Sequence, residues 1–143
     1  MFVILIFLLF LPFLKNRYYR KKVLKEKEFI SVSEFGKLYS KGKILEDSGI
    51  YIFLIYDGKN DRKEDFKGVY VGQSIHVAKR LYTHLHGNGN HGVHRAITQG
   101  KYVCFCIIPC PKKNLNQLEK RYIAAFNATN SLNKTRGGAK KQH

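Results

Sequence analysis

The stretch Gly49-Ile-Tyr-Ile-Phe-Leu-Ile-Tyr56 carries no charge, is dense in branched and aromatic side chains, and stops at Asp57-Gly58. Such residues favour a pleated, partly buried strand, and Asp-Gly is a strong turn signal. A polar, charged segment from Lys59 to Lys67 follows, after which Gly68-Val-Tyr-Val-Gly72 resumes strand character. The pair reads as an antiparallel hairpin with a loop longer than a tight turn. Any fold for this chain must be built on that hairpin.

The flanking pattern supplies helices and one more strand. Ser31 to Tyr39 starts with N-cap residues, offers a short apolar stripe and leads to Gly42, which predicts a short helix. Ser74 is placed to cap a helix running to about Leu85, in which Val77, Ala78, Leu81 and Leu85 recur at three-and-four spacing. A Gly and Asn loop, His86 to Asn90, precedes a short helical stretch around Gly92 to Gln99. The run from Lys101 through Ile108 is strand-like. Asn114 with Gln117 forms a capping pair in front of a helix whose Leu115, Leu118, Tyr122 and Phe126 share one face. Asn130 to Gly138 returns to turn composition.

At 143 residues and 16.6 kDa the chain suits one compact domain plus a short appendage. A hydrophobic fraction of 44% with 13% aromatics furnishes a packed core and excludes wholesale disorder. The three cysteines, Cys104, Cys106 and Cys110, sit in one strand-like stretch without the doubled pairs of a zinc site. They read as small apolar fillers, which suits a reducing, cytoplasm-like compartment.

Residues Met1 to Leu14 are uncharged, and Lys15-Asn-Arg-Tyr-Tyr-Arg-Lys-Lys22 follows with a dense basic cluster. The junction has the character of a membrane boundary, although a full helical span wants about 20 apolar residues. Phe2 after the initiator and the lack of a small-residue cleavage site argue against a secretory signal. A membrane anchor on one side, and a helix docked on a partner or a poorly ordered terminus on the other, stay equally open. The expected organisation is a hydrophobic segment with a basic flank over 1–22, a linker with a short helix over 23–47, a main domain over 48–138, and a basic tail over 139–143.

Twenty-six Lys and Arg against ten Asp and Glu give a formal charge of +16, a field that attracts polyanions. Charge alone does not distinguish nucleic acid from an anionic membrane surface. Residue identity is more specific. Arg80 and His84 stand four apart and project from one helical face, with His76 extending that stripe a turn earlier. Because the helix follows Gly72 closely, its first turns should lie beside the strand end that displays Tyr70. A phenol, a guanidinium and an imidazole would then meet where a phosphodiester could sit.

Gly49-Ile50-Tyr51 and Tyr70-Val71-Gly72, on consecutive strands, resemble the two motifs that name the GIY-YIG nuclease family, with Val71 as one conservative change. Arg80 and His84 in the next helix, Glu119 in the late helix and Asn133 in the closing turn match the family pattern in order, and His91 is a further correspondence. The ordered combination covers about residues 48 to 138 and is far more specific than any single element.

The resemblance implies an α+β domain with a small antiparallel three-stranded sheet flanked by helices, behind the N-terminal hydrophobic helix. It implies divalent-metal-dependent hydrolysis of DNA, with Tyr51, Tyr70, Arg80, His84 and Glu119 as the catalytic set. Glu119 would offer a hard anionic oxygen to Mg²⁺ or Mn²⁺, and Arg80 a planar cation matched to phosphate. In related nucleases the first-motif tyrosine is implicated in activating water, which implies a general-base role for Tyr51, with Tyr70 and His84 orienting water or relaying protons. A phenol ordinarily titrates near about 10, so that role requires local cations to favour phenolate.

His76, His91, His94 and Arg95 are expected nucleic-acid contacts, and Gly49, Gly72 and Asn133 structural parts of the motif. DNA is the expected partner. An anionic membrane surface is the alternative for the N-terminal segment, and a second chain or an accessory DNA-binding partner a source of specificity. The basic residues of Lys15 to Lys27 and Lys140-Lys141 suit sequence-independent phosphate contacts. Three classes remain: the nuclease, a catalytically silent nucleic-acid-binding module, and a membrane-anchored basic interaction protein.

Overall fold

The computed structural model describes residues 2–44 and 46–137, with side chains from residue 11 onward; Gly138 and the basic tail lie outside the described residues. The chain runs α1 (Phe2–Glu26), β1 (Ile30–Ser31), α2 (Val32–Ser40), β2 (Gly49–Tyr56), β3 (Gly68–Ser74), α3 (Val77–Leu85), α4 (His91–Thr98), β4 (Tyr102–Pro109) and α5 (Leu115–Ala125). It is an α+β domain around one antiparallel sheet of order β1-β4-β2-β3.

The hairpin forms in the register that sets Tyr51 opposite Gly72 and Phe53 opposite Tyr70. On its other side β2 pairs along its whole length with β4. Every residue of β2 is buried because helices cover both faces of the sheet. Ile50, Ile52, Leu54 and Tyr56 join a core with residues of α1 and α5, while Tyr51, Phe53 and Ile55 join a second core with α2, α3 and α4. Each such side chain contributes about 1.5–3 kcal/mol relative to exposure.

Three expectations change in detail. The sheet has four strands rather than three, because Ile30 and Ser31 add to the outer edge of β4 opposite Phe105 and Cys104. A two-residue strand is too short to leave any alternation in sequence. The start of α3 also moves. Ser74 is the last residue of β3, paired with Gly49, and its Oγ accepts from the His76 N–H, so the helix begins only at Val77. Asn114 makes no side-chain cap to α5, since its backbone is already helical (φ −99°, ψ −6°), whereas a capping side chain needs an extended backbone.

The N-terminal segment is a helix whose basic half docks. Tyr19, Val23 and Leu24 pack against the core face that holds Leu118, Tyr122 and Ala125. Arg20 Nη1 donates to the Ala125 carbonyl at 3.2 Å, and the Arg121 guanidinium lies 4.6 Å from the Tyr19 ring centroid. No helix among the described residues is long and apolar enough to cross a membrane. The uncharged run ends at Lys15, short of the roughly 20 residues a span needs.

The cysteines are free thiols. Burial pushes those of Cys104 and Cys106 up to about 12, so they stay protonated packing groups in the strand.

Candidate active site

Strand β3 is an edge of the sheet, and a cleft of about 740 Å³ wraps around it. From the α3 and α4 side come Arg80, Asn90 and His91; from the α5 side, Asn116 and Glu119; from the closing turn, Asn133 and Lys134. Tyr51, Tyr70 and Gly72 also line it. Arg80 and Glu119 therefore approach from opposite faces of the sheet and meet over its edge. Glu119 is the one carboxylate among the described residues of this lining, against the cations of Arg80 and Lys134.

The ring of Tyr51 lies across Gly72, its cross-strand partner; a Cβ at Gly72 would collide with the phenol. An aromatic ring can lie flat on the neighbouring strand only where that strand carries no side chain. Gly49, by contrast, does not line the cleft. A Cβ there would come 2.8 Å from the Ile108 carbonyl, so its contact is with β4.

His84 is fully buried (0% exposed) among the rings of Tyr51, Phe53 and Tyr70, with centroids 5.2–5.5 Å away. It makes two hydrogen bonds. The Asn90 backbone N–H donates to Nδ1 at 2.9 Å, and Nε2 lies 2.9 Å from the Tyr51 hydroxyl. A backbone N–H can only donate, so Nδ1 is the unprotonated nitrogen. Burial, with Arg80 nearby, lowers the imidazole to about 4 and keeps it neutral. The single ring proton is then on Nε2, which donates to Tyr51 Oη. Gly89 gives this ring its space, since a Cβ there would strike Nδ1.

Tyr51 is itself 1% exposed. Burial, reinforced by Tyr70, raises its phenol far above the ordinary range, while Arg80 pulls the other way by charge and hydrogen bond and Glu119 adds to the rise. Tyr70 is half-buried and raised for the same leading reason; Arg80 and the hydrogen bond from Tyr51 work against it. Both phenols hold their protons in this state. The donors that would stabilise a phenolate at Tyr51 are nonetheless already aimed at its oxygen.

Asn133 sits beside the free edge of β3. Its Oδ1 accepts from the Val71 N–H and its Nδ2 donates to the Val71 carbonyl, both at 2.8 Å. With the Leu132 N–H donating to the Val69 carbonyl and Ser131 Oγ accepting from the Val69 N–H, the turn substitutes for a missing strand.

Of the expected site residues, Tyr51, Tyr70, Gly72, Arg80, His91, Glu119 and Asn133 line the cleft, and His84 lies directly behind it. His76, His94 and Arg95 do not. His76 sits at the non-helical N-cap of α3 (φ −133°), which swings its ring off the Arg80 stripe toward Glu46, 3.7 Å away. His94 packs beneath Gly87 and Arg95 is exposed elsewhere on α4.

Residues not anticipated are Asn90, Gln73 and Asn116. Asn90 caps α4 by accepting from the Val93 N–H, and donates its side-chain amide to the Leu132 carbonyl. Its position before a helical stretch was the signal that could have found it. Gln73 donates to Asn116 at 2.8 Å, a bond between strand and helix that no local pattern announces.

A single carboxylate amid hydroxyl and amide oxygens is a donor set that fits a hard divalent ion retaining most of its waters. Among the described residues no group of three or more His, Cys, Asp or Glu is gathered.

Two tyrosine-bearing strands, the cationic helix α3 and the Glu119-bearing helix α5 thus surround one cleft. The GIY-YIG catalytic-domain model matches residues 47–133, and the chain belongs to the GIY-YIG family. No curated protein and no solved structure matches it.

Proposed function

We propose that this chain is a divalent-metal-dependent endonuclease that hydrolyses DNA phosphodiester bonds in the cleft at the edge of β3. The observation that carries the reading is the convergence of Arg80 and Glu119, from opposite faces of the sheet, on the tyrosine-lined floor. A formal charge of +16 supports a polyanionic substrate.

Arg80 binds the scissile phosphate and neutralises charge growing on its non-bridging oxygens; its fixed, permanently charged fork suits that task. Glu119 holds the metal ion, Mg²⁺ or Mn²⁺, which when bound supplies Lewis-acid polarisation of the phosphate and of water. Tyr51 accepts a proton from the attacking water after losing its own, and the resulting phenolate is stabilised by the donors already directed at Oη, His84 Nε2 and Arg80. His84 is thus a positioning residue, held neutral and out of reach of DNA. Tyr70, the more exposed phenol, orients water or passes the proton outward.

The test is nicking of supercoiled plasmid by the full chain across a titration of Mg²⁺ and of Mn²⁺, with a chelator control and Arg80→Ala alongside. Metal-dependent nicking lost in the variant supports the proposal. Binding to the plasmid without cutting at any metal concentration overturns it in favour of a silent binding module.

A further inference from the structure

Helix α1 lies outside the family match, yet its basic half is docked on α5, the helix that bears Glu119. The docked face is Tyr19, Arg20, Val23 and Leu24. On the opposite face Lys15, Tyr18, Lys22 and Lys25 recur at spacings of three, four and three, and all are exposed. That spacing is one helical stripe. Lys22 Nζ stands 5.9 Å from the Tyr18 ring centroid, which holds the ammonium along the stripe rather than off it. None of these lysines takes part in an ion pair among the described residues.

We infer that this stripe is a second phosphate-binding surface, which grips the backbone of the same DNA whose scissile bond enters the cleft. The inference rests on the nuclease reading of the cleft and adds where the rest of the substrate lies. At 1.5 Å per residue the stripe from Lys15 to Lys25 is roughly 15 Å long, the axial length over which one DNA strand presents about four phosphates.

Packed helices lie about 8–10 Å apart, so α1 stands one helix beyond α5, within the width of a duplex from Glu119. A membrane-surface helix would need its apolar face exposed beside the lysines; from Tyr19 onward that face is covered by α5. The docking makes the stripe a rigid part of the nuclease body. Contacts of this kind carry no sequence information, which gives the domain affinity without specificity.

The experiment compares the full chain with Lys15→Gln/Lys22→Gln/Lys25→Gln, both in a Glu119→Gln background without metal, so that only binding is read. The affinity for a 20-base-pair duplex is measured from 50 to 300 mM salt, and thermal unfolding of both proteins checks that the helix is intact. The triple change is expected to reduce the slope of log affinity against log salt by about 2 to 3, at roughly 0.9 for each phosphate no longer neutralised, with at least a tenfold loss of affinity at the lowest salt.

An unchanged slope overturns the inference while leaving the nuclease reading intact; no DNA binding at any salt overturns both. A parallel arm with phosphatidylserine vesicles shows whether the stripe, next to the exposed Leu11, Phe13 and Leu14, serves a lipid surface when the DNA slope does not change.

Discussion

His84 Nε2 donates to the Tyr51 hydroxyl across 2.9 Å, and the direction of that bond is set from behind by the Asn90 backbone N–H at Nδ1. A histidine behind a catalytic tyrosine could in principle accept its proton. Here the accepting nitrogen is already occupied, so the imidazole can stabilise a phenolate but not create one. In the proposed mechanism the tyrosine proton therefore leaves toward the cleft, which Tyr70 also lines.

The buried imidazole makes stability depend on pH. Its folded value of about 4 lies below the ordinary 6.5, so between these values the unfolded chain binds a proton that the folded chain refuses. The contribution is fully present above about pH 6.5 and is lost as pH falls toward 4. By linkage it costs about 2 kcal/mol at pH 5 and approaches about 3 kcal/mol below pH 4. Urea unfolding at pH 7.5 and pH 5 should show this difference in the native protein and a smaller one in His84→Gln. Equal pH dependence in the two proteins would contradict the assignment.

Gly72 should tolerate no side chain while Tyr51 is present. Gly72→Ala forces a methyl into the phenol ring, and overpacking of this kind costs about 1–3 kcal/mol. Tyr51→Ala removes the obstacle, so the double variant should be more stable than the sum of the single losses predicts, by at least about 0.5 kcal/mol. Additive losses in denaturant unfolding would mean that the ring and the glycine do not bear on each other.

Asn133 completes the edge of β3. In Asn133→Ala the Val71 N–H and carbonyl both lose their partner, at a cost of about 1–3 kcal/mol. Hydrogen exchange at the Val71 amide should accelerate more than at Ile52, which is held between β3 and β4. Unchanged protection at Val71 would show that the edge is held by something else.

The parts of the fold that were legible are those whose signal is local. Gly49–Tyr56 and the cysteine strand announced themselves by composition, and Leu115, Leu118 and Tyr122 by spacing, because burial acts on each element's own periodicity. Ile30–Ser31 had no period to show. At the site, Tyr51, Tyr70, Arg80 and Glu119, expected together from their order in the sequence, all line one cleft, since charged and aromatic residues at matched positions are visible one by one. What each group does there was less visible.

His84 shares the four-residue spacing with Arg80 but also completes the buried stripe of Val77 and Leu81, and burial won. His76 kept the spacing but fell where the chain is not yet helical. The tautomer of His84 depends on Asn90, whose backbone N–H arrives from a loop. No pattern along α3 contains that information.

The central claim is that Glu119 serves chemistry rather than binding. It is tested most directly by measuring, in parallel, duplex affinity and single-turnover cleavage for the native chain and Glu119→Gln in saturating Mg²⁺. The account predicts an affinity changed by less than about threefold and a cleavage rate reduced by at least about 10²–10³, the scale expected when a charge-stabilising group is removed. Cleavage in Glu119→Gln at the native rate would contradict it.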